Sequence, residues 1–554
     1  MTETPRLLLV GSNQQENLAL QYLAAAAEGA GWSPRLVGFN DRRDLAQVLA
    51  AVDAEAPELV GLNMAFQYLL DDHLELASLL RARGFAGHLT AGGHVPTFCW
   101  RELMESCSAF DTLVRHEGEE TLVEMLGRLQ RGQPVAGTPG CVWREGSRIV
   151  SGPVRPVCVD LDSLPTPWRP ERPYRVAGMP IAFGLGARGC IGECAYCSIR
   201  AFSSSAGGPS YRLRSPESLA REIAALARRG VRVVFLQDDL FVLPDERRAV
   251  ARMEAIHRAL IAEGVPRMGF WVKGRPESIT PRVVEAARRM GAIHLFLGIE
   301  SAVKERLEYL GRTHGPEHDR RAIDLCLQHG VGVSFNLMLF DPDSPLEHVA
   351  ETVRFAREYA DIPWNVCRTE IYPGTRLFER LRDAGRLRGD FHGWGYSMLD
   401  PRAELAFRIL RVCLHERALA AESLHNRLIS LAFGMQAQQW WFPGPATNEL
   451  AARALALGRE TRRDTADMLE RVLTFAGNAD PGDAVGGEEL AIREGLAAGR
   501  RDAARYAEAS SLWERLHARG RVLVERLTEA AVGSAPVPTC DSGEFIRPPG
   551  GVSA

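Results

Sequence analysis

One stretch organises this chain: Gly189-Cys190-Ile191-Gly192-Glu193-Cys194-Ala195-Tyr196-Cys197. Its three cysteines are separated by three and two residues, with a glycine before the first and another between the first two. Thiolates are the usual ligands of iron–sulfur clusters, and three of them leave one iron of a four-iron cluster open. A structural zinc site would need a fourth ligand, and no Cys or His follows Cys197 at short spacing. The spacing therefore favours a cluster over three incidental cysteines.

Length and charge restrict the class of protein. The 554 residues are too many for one ordinary core and predict two to four domains. Lys and Arg number 66 against 70 Asp and Glu, so the net charge of −4 gives no electrostatic case for nucleic-acid binding. Met1–Arg6 lacks a secretory pattern and no apolar run is long enough for a membrane span. We expect a cytoplasmic enzyme whose eleven dispersed cysteines are mostly reduced.

The N-terminal third alternates short apolar runs with helical periodicity, beginning with Arg6–Gly11 and Leu18–Ala30. Five such repeats in residues 1–135 predict a doubly wound, Rossmann-like parallel sheet. Ligands of such sheets bind at the carboxyl ends of the strands, and none of the loops there is a GxGxxG or GxxxxGK phosphate loop. The glycines at 92 and 93 would let a bulky ligand approach the backbone. The loop residues expected to bind it are Ser12, Asn13, Gln14, Asn63, Met64, Ala65, Gln67, Gly92, Gly93, His94, Val95, Glu117, Gly118 and Glu119.

A Pro- and Gly-rich linker is expected over 136–180, and a second strand–helix alternation over 181–388. About six parallel strands predict a partial (β/α)6 barrel, with its chemistry at the strand carboxyl ends. Polar residues recur there after apolar strands, although each alone could cap a turn, pair with an Arg or satisfy the backbone. They are Gln237, Asp238, Asp239, Arg275, Glu300 and Asn336.

The last third has helical periodicity only. Residues 389–532 predict a helical domain over the open barrel mouth, and the Pro-, Gly- and Ser-rich tail from 533 to 554 predicts disorder. The aromatic segments 391–396 and 439–444 could line a substrate pocket there, but such spacing is more typical of a core.

The cysteine loop, with Tyr196 before its last cysteine, resembles the radical S-adenosylmethionine (SAM) enzymes. The N-terminal domain resembles the cobalamin-binding domain of one branch of that superfamily, through the Gly92-Gly93-His94 and Glu117-Gly118-Glu119 turns. Many cobalamin domains carry DxHxxG after the first strand, with a His ligand to cobalt. Ser12-Asn13-Gln14-Gln15 stands here instead, and the loop Met64–Gln67 is expected at the lower face of cobalt, without a ligating side chain.

The resemblance implies three cofactors: a [4Fe-4S] cluster on Cys190, Cys194 and Cys197, SAM, and cobalamin. It implies SAM contacts from Tyr196 and the polar strand-end residues. Among these, an acidic residue of Gln237–Asp239 would accept from the SAM ammonium, Arg275 would fork onto the carboxylate and Glu300 would suit the ribose hydroxyls. A flavodoxin-like domain that has lost its ligand, or a purely scaffolding one, is the alternative for the first 135 residues.

The activity implied is that of a class B radical SAM methyltransferase. A 5′-deoxyadenosyl radical would abstract hydrogen from an unactivated carbon of a small molecule, expected to be a natural product, and that carbon would take a methyl group from methylcobalamin. The expected partners are the substrate and an electron donor such as flavodoxin or ferredoxin, with no nucleic acid or membrane, and the protein is expected to be a monomer. A cobalamin-assisted rearrangement or cyclisation, and a cluster- or corrinoid-binding sensor or carrier, remain alternatives.

Overall fold

A computed structural model describes residues 4–532 of the chain, apart from 266, 421 and 481–483. The contacts between residues divide the chain into two compact units. The first contains the described residues up to Arg172 together with Phe183–Ser218 and Glu370–Tyr396. The second contains Pro173–Ala182, Leu219–Thr369 and the described residues from Ser397 onward. The predicted disordered tail lies outside the described residues.

The first unit is built on a seven-stranded sheet of order β2-β1-β3-β4-β5-β6-β7, in which β1 to β5 are parallel. The strands are β1 (Arg6–Gly11), β2 (Ser33–Gly38), β3 (Leu59–Asn63), β4 (His88–Gly92), β5 (Thr112–Val114), β6 (Cys141–Glu145) and β7 (Arg148–Ser151). The helices between them are α1 (Leu18–Gly29), α2 (Leu45–Glu55), α3 (Leu70–Ala82), α4 (His94–Phe98), α5 (Trp100–Ser106) and α6 (Glu119–Gln130), with 3-10 turns at Arg42–Asp44 and Gln67–Leu69.

Burial on both faces explains why the first strand is a continuous apolar run. Leu8 and Val10 belong to the core on one face of the sheet, whereas Leu7 and Leu9 belong to the core on the other. Side chains alternate between faces along a strand, so a strand covered by helices on both sides must be apolar at every position. This is the predicted doubly wound arrangement.

The sheet is larger than predicted. Residues 141–151, which the Pro- and Gly-rich composition assigns to a linker, form the antiparallel hairpin β6–β7 at the sheet edge. The turn between the strands uses Gly146 at φ +60°. Short strands flanked by so many turn residues carry too few alternating positions to be recognised from the sequence. A 3-10 turn at Leu161–Ser163 follows.

The first unit also contains the cysteine loop. Strands β10 (Ala187–Gly189) and β11 (Tyr211–Leu213) pair antiparallel, and they enclose the loop and helix α7 (Ser198–Ala206). The later segment Glu370–Tyr396 adds helix α14 (Arg376–Asp383) to this unit.

The second unit is built on a seven-stranded sheet of order β16-β15-β14-β13-β12-β9-β8. Strands β12 to β16 pair in parallel with their sequence neighbours, as in the predicted partial barrel, whereas β8 is antiparallel to β9. The strands are β8 (Tyr174–Val176), β9 (Met179–Gly184), β12 (Val233–Leu236), β13 (Gly269–Gly274), β14 (Ala292–Glu300), β15 (Gly332–Phe340) and β16 (Trp364–Arg368). The helices are α8 (Pro216–Arg228), α9 (Glu246–Ala262), α10 (Pro281–Met290), α11 (Lys304–Tyr309), α12 (Pro316–Gln328) and α13 (Leu346–Glu358), with a 3-10 turn at Pro276–Ser278.

The helical region follows in the same unit, as α15 (Pro401–Cys413), a π-helical turn (His415–Leu419), α16 (Leu424–Trp441), α17 (Pro445–Asn478) and α18 (Ala484–Val532). The expectation that it covers the barrel mouth with residues 439–444 is wrong. The Phe433 ring packs 5.0 Å from that of Trp271, and Trp441 Nε1 donates to the Arg232 carbonyl at 2.9 Å. Arg232 directly precedes β12 and Trp271 is early in β13, so α16 lies at the amino ends of the strands. None of the helices within the described residues combines the length and apolar character of a membrane span.

Candidate active site

The cysteine loop turns sharply out of β10. Gly189 has φ +80°, and a Cβ there would collide with the Ser210 carbonyl oxygen, so the β10–β11 pairing requires glycine at this position. The amide of Gly192 donates to Cys190 Sγ at 3.3 Å, and the amide of Leu377 donates to the Ala195 carbonyl at 2.8 Å. Backbone contacts thus hold the loop from both sides.

Accessibility separates the three loop cysteines from most of the others. Cys190, Cys194 and Cys197 are partly exposed, whereas five of the remaining described cysteines are buried. Burial raises the pKa to about 12 for Cys99, Cys141, Cys326 and Cys413, so these thiols stay protonated. Across the described ranges no three His, Cys, Asp or Glu side chains stand together at metal-binding distance. The fit to a cluster therefore rests on donor type and access, which suit soft iron.

Polar side chains join the loops after β1, β2 and β3 of the first unit. Ser12 Oγ donates to Asn40 Oδ1 at 3.0 Å, and Asn40 Nδ2 donates to Asn13 Oδ1 at 2.9 Å. Asn17 Nδ2 bridges to Asn63 Oδ1 at 3.2 Å. The predicted residues Ser12, Asn13 and Asn63 are therefore brought to one edge of the sheet, whereas Gln14 is exposed.

Gly93, directly after β4, lies against the loop that follows β3. Gly93 has φ +115°, and a Cβ there would lie 2.9 Å from the Met64 carbonyl oxygen. The amide of Val95 donates to that same oxygen at 3.1 Å. Gly93 therefore permits the loops after β3 and β4 to approach each other. At Gly92 a Cβ would make ordinary contacts with Val114.

The loop after β3, expected at the lower face of cobalt, presents aromatic side chains. Met64 is fully buried, and Gln67 Nε2 donates to the Phe391 carbonyl at 2.9 Å. Phe66 and Tyr68 are 44% and 71% exposed and stack with ring centroids 5.5 Å apart. A broad apolar ring with amide arms, such as a corrin, suits an edge that combines exposed aromatics with Asn and Ser side chains.

The turns after β4 and β5 contact the helix that follows the cysteine loop. The rings of His94 and Phe202 stack 4.6 Å apart, and His116 Nδ1 lies 2.9 Å from the Phe202 carbonyl. Burial lowers the pKa of both His94 and His116 to about 4, so both rings are neutral at neutral pH. Residue His116 itself has φ +65°, a conformation uncommon outside glycine.

The acidic turn after β5 is used for internal contacts. Glu117 pairs with Arg212 of β11 at 2.9 Å, and Glu119 pairs with Arg188 of β10 at 2.6 Å. Burial acts to raise the pKa of Glu119, but the charge and hydrogen bond of Arg188 outweigh it and the pKa is lowered. The two ion pairs hold the hairpin that carries the cysteine loop.

In the second unit, strand register places polar side chains on one face of the sheet. Lys273 pairs in register with Phe296, and Asn336 pairs with Asn365. These side chains are partly exposed, whereas the alternating residues of the opposite face are buried against helices, among them Val234, Val272, Leu295, Phe335 and Leu337. The half-exposed face is the one that a partial barrel would turn toward its interior.

The segment Gln237–Asp239 directly follows β12, and Gln237 lies beside Lys273, a residue not among those predicted from the sequence. Lys273 Nζ donates to Gln237 Oε1 at 3.2 Å. Burial lowers the pKa of Lys273, opposed by the negative charges of Asp239 and Asp238. A polar residue late in an otherwise apolar strand was the only sequence signal that could have identified it.

The side chains of Arg275 and Glu300 have polar atoms that make few contacts with the rest of the protein. Arg275 Nε donates to Glu277 at 2.6 Å, and no partner among the described residues contacts its terminal nitrogens. Glu300 has φ +71°, and its nearest cationic neighbour is Arg312 at 3.9 Å. A left-handed backbone in a non-glycine residue costs energy and is found at functional sites. The side-chain amide of Asn336, in the paired strand β15, makes no hydrogen bond within the part of the chain that the structure describes.

Two family models match the chain. The B12 binding domain matches residues 7–126, and the radical SAM superfamily matches residues 186–356. An uncharacterised methyltransferase of Pyrococcus horikoshii, PH0819, is 27% identical over 65% of this chain and 76% of its own length. The anaerobic magnesium-protoporphyrin IX monomethyl ester cyclase of Cereibacter sphaeroides is also 27% identical, and the match spans 65% of this chain but only 60% of the cyclase.

Solved structures confirm the predicted fold class. The cobalamin-dependent SAM radical enzyme OxsB, with aqua-cobalamin bound, aligns with a TM-score of 0.65 over 95% of this chain and 81% of its own, at 14% identity. The methyltransferase TsrM of Kitasatospora setae, with cobalamin and a [4Fe-4S] cluster bound, aligns with a TM-score of 0.59 over 90% of this chain and 100% of its own, at 18% identity. The radical SAM domain implies a [4Fe-4S] cluster and SAM, and the B12-binding domain implies cobalamin. The chain therefore carries a B12-binding domain followed by a radical SAM domain, and it is a cobalamin-dependent radical SAM enzyme.

Proposed function

We propose that this enzyme transfers a methyl group to an unactivated carbon of a small-molecule substrate. The observation that carries the proposal is the domain pair, together with the resemblance of the chain to PH0819, a protein named as a methyltransferase. When bound, the cluster and SAM supply a 5′-deoxyadenosyl radical, and cobalamin supplies the methyl group. The work of the protein is to bind these groups, orient them and exclude water.

The proposed ligands of the cluster are Cys190, Cys194 and Cys197. Two observations support this assignment. The three side chains are partly exposed, and the backbone turn that leads into their loop requires glycine at position 189. An external electron donor such as flavodoxin or ferredoxin would reduce the cluster, and reduced thiols are expected in a cytoplasmic location. We further propose that the protein is a monomer and that its substrate is a natural product.

The proposed SAM residues have chemistry matched to the parts of that molecule. The unused terminal nitrogens of Arg275 suit a carboxylate, and the strained Glu300 suits ribose hydroxyls. Tyr196, the Gln237–Asp239 segment and Asn336 complete the proposed contacts.

The proposed cobalamin site comprises the loops after β1, β3, β4 and β5. Ser12, Asn13 and Asn63 offer hydrogen bonds to amide groups. The exposed Phe66 and Tyr68 would pack against the corrin ring, and the loop after β1 offers no histidine for its cobalt. Met64 and Gln67 support the loop from within, as their burial and hydrogen bonding indicate.

A second candidate is cyclisation or rearrangement without methyl transfer, which the resemblance to the cyclase favours. SAM with a deuterated methyl group, supplied anaerobically to the reconstituted enzyme with a small-molecule extract, separates the two. Methyl transfer predicts a labelled product and formation of both S-adenosylhomocysteine and 5′-deoxyadenosine. An unlabelled product with 5′-deoxyadenosine alone would contradict methyl transfer and support cyclisation.

A further inference from the structure

A buried chain of charged groups begins at Arg275. Glu277, in the 3-10 turn that follows, accepts from Arg275 Nε at 2.6 Å. Nδ1 of His314 lies 3.2 Å from the same Glu277 carboxylate, and Nε2 of His314 lies 3.1 Å from Asp319. The side chains of His314 and Asp319 are both 0% exposed. Fully buried ionisable side chains are rare unless they pair with one another, because their desolvation costs free energy.

The segment that carries His314 also reaches Glu300. Arg312, two residues earlier and itself buried, donates to the Gly298 carbonyl and lies 3.9 Å from the Glu300 carboxylate. The segment from Arg312 to Asp319 therefore contacts Glu277, which holds Arg275, and also lies close to Glu300. The end of this loop is fixed by α12, whose first turn contains Asp319.

We propose that His314 is a positioning residue that holds Arg275, through Glu277, in the orientation that receives the carboxylate of SAM. The inference rests on the proposed function, since it takes Arg275 as a SAM residue. Glu277 occupies only Nε of the guanidinium, which leaves the terminal nitrogens for the ligand. A guanidinium whose plane is fixed in advance loses less freedom on binding.

The ring of His314 lies between two carboxylates, 3.2 Å from Glu277 and 3.1 Å from Asp319. A neutral imidazole donates from one nitrogen only, whereas two acceptor oxygens flank this ring. Asp319, as a carboxylic acid, would donate to the second nitrogen of the ring. Burial raises the pKa of Asp319 to about 6, against the effects of His314 and Arg312. Loss of the Asp319 proton leaves an uncompensated negative charge at Nε2 of His314, on the side of the ring opposite Glu277. The other charged or titratable groups facing the pair are Arg312, His318, Arg320 and Tyr359.

The test measures the affinity of the cluster-reconstituted protein for radiolabelled SAM by equilibrium dialysis, with cluster absorbance and the melting temperature as checks on folding. We expect His314→Phe to weaken SAM binding by about tenfold or more, and His314→Gln, which keeps hydrogen-bonding groups, to recover part of the loss. The affinity of the wild type should change with pH across the titration of Asp319, and that of His314→Gln should change less. His425→Gln is the matched control, because His425 is also a buried histidine, bonded to Thr465 in the helical region.

Glu277→Gln keeps the proposal falsifiable if His314→Phe does not fold. Because both residues act through Arg275, their effects on SAM affinity should be less than additive in the double variant His314→Gln/Glu277→Gln. Wild-type affinity and pH dependence in His314→Gln, or additive effects in the double variant, would overturn the inference. A wild-type protein that holds its cluster and binds no SAM would instead overturn the proposed function.

Discussion

The imidazole ring of His94 stacks on the phenyl ring of Phe202, with centroids 4.6 Å apart and planes inclined by 24°. His94 follows the fourth strand of the B12-binding domain, and Phe202 lies in the helix that starts directly after Cys197. The same helix accepts a contact from His116 through the Phe202 carbonyl. The carboxyl-end loops of the first sheet and the cysteine loop are therefore parts of one compact unit.

Removal of the Phe202 ring should loosen this contact. We expect Phe202→Ala to lower the free energy of unfolding by about 2 kcal/mol and to weaken cobalamin binding, because the His94 and His116 turns lose their support. Denaturation and the visible spectrum of bound cobalamin measure the two effects. Arg101→Ala, which removes an exposed side chain stacked on Trp100, is the stability control and should cost well under half as much. If the free energy of unfolding of Phe202→Ala equals that of the wild type, the Phe202 ring does not support the two turns.

Replacement of any one loop cysteine should remove the cluster. Cys190→Ala, Cys194→Ala and Cys197→Ala should each lose the visible cluster absorbance after anaerobic reconstitution, and SAM cleavage with it, because three thiolates are the minimum set here. Cys158→Ala is the matched control, since Cys158 is partly exposed but lies outside the loop. Retention of SAM cleavage in any of the three variants would show that the ligands were misassigned.

Glu300→Gln should separate SAM binding from cluster binding. Loss of the charge should weaken SAM affinity by about 1 to 3 kcal/mol and leave cluster absorbance unchanged, because hydrogen bonds to a charged group are worth that amount. Dialysis with labelled SAM measures the first effect and absorbance the second. Glu308→Gln, at an exposed site on α11, should have no effect on either. Equal affinities for SAM in Glu300→Gln and the wild type would exclude Glu300 from the site.

Stability should depend on pH through Asp319. Burial raises the pKa of this carboxyl from 3.8 to about 6, so between these values the folded protein binds more protons than the unfolded chain. The free energy of unfolding therefore decreases as pH rises through this window, by about 3 kcal/mol in total. We expect Asp319→Asn to remove most of this decrease, whereas Glu351→Gln, exposed on α13, should keep it. A pH profile of Asp319→Asn that parallels the wild type would contradict the raised pKa.

The sequence predicts those features that are local or periodic. Leu7–Val10 is apolar at every position because both faces of its strand are covered, and the Cys190–Cys197 spacing is contained in one loop. Polar residues at strand ends, such as Arg275 and Glu300, are visible because they interrupt an apolar pattern. Composition misleads at β6 and β7, where turn residues conceal a short hairpin.

Contacts between distant segments could not be predicted in this way. His314 is an isolated histidine in a loop, and nothing near it in the sequence indicates Glu277 as its neighbour. The same holds for α16, whose Phe433 packs on Trp271 and His294 near the amino ends of the barrel strands rather than at the mouth. The sequence pattern did not identify Lys273 as a site residue, because a single lysine near the end of a strand is usually solvated.

We propose that this chain cleaves SAM with a cluster held by the cysteine loop. The most direct test of this proposal is the amount of 5′-deoxyadenosine formed from SAM by the anaerobically reconstituted, reduced protein carrying cobalamin. We expect 5′-deoxyadenosine from the wild type and none above background from Cys194→Ala. A wild-type protein with an intact cluster and bound SAM that forms no 5′-deoxyadenosine would contradict it.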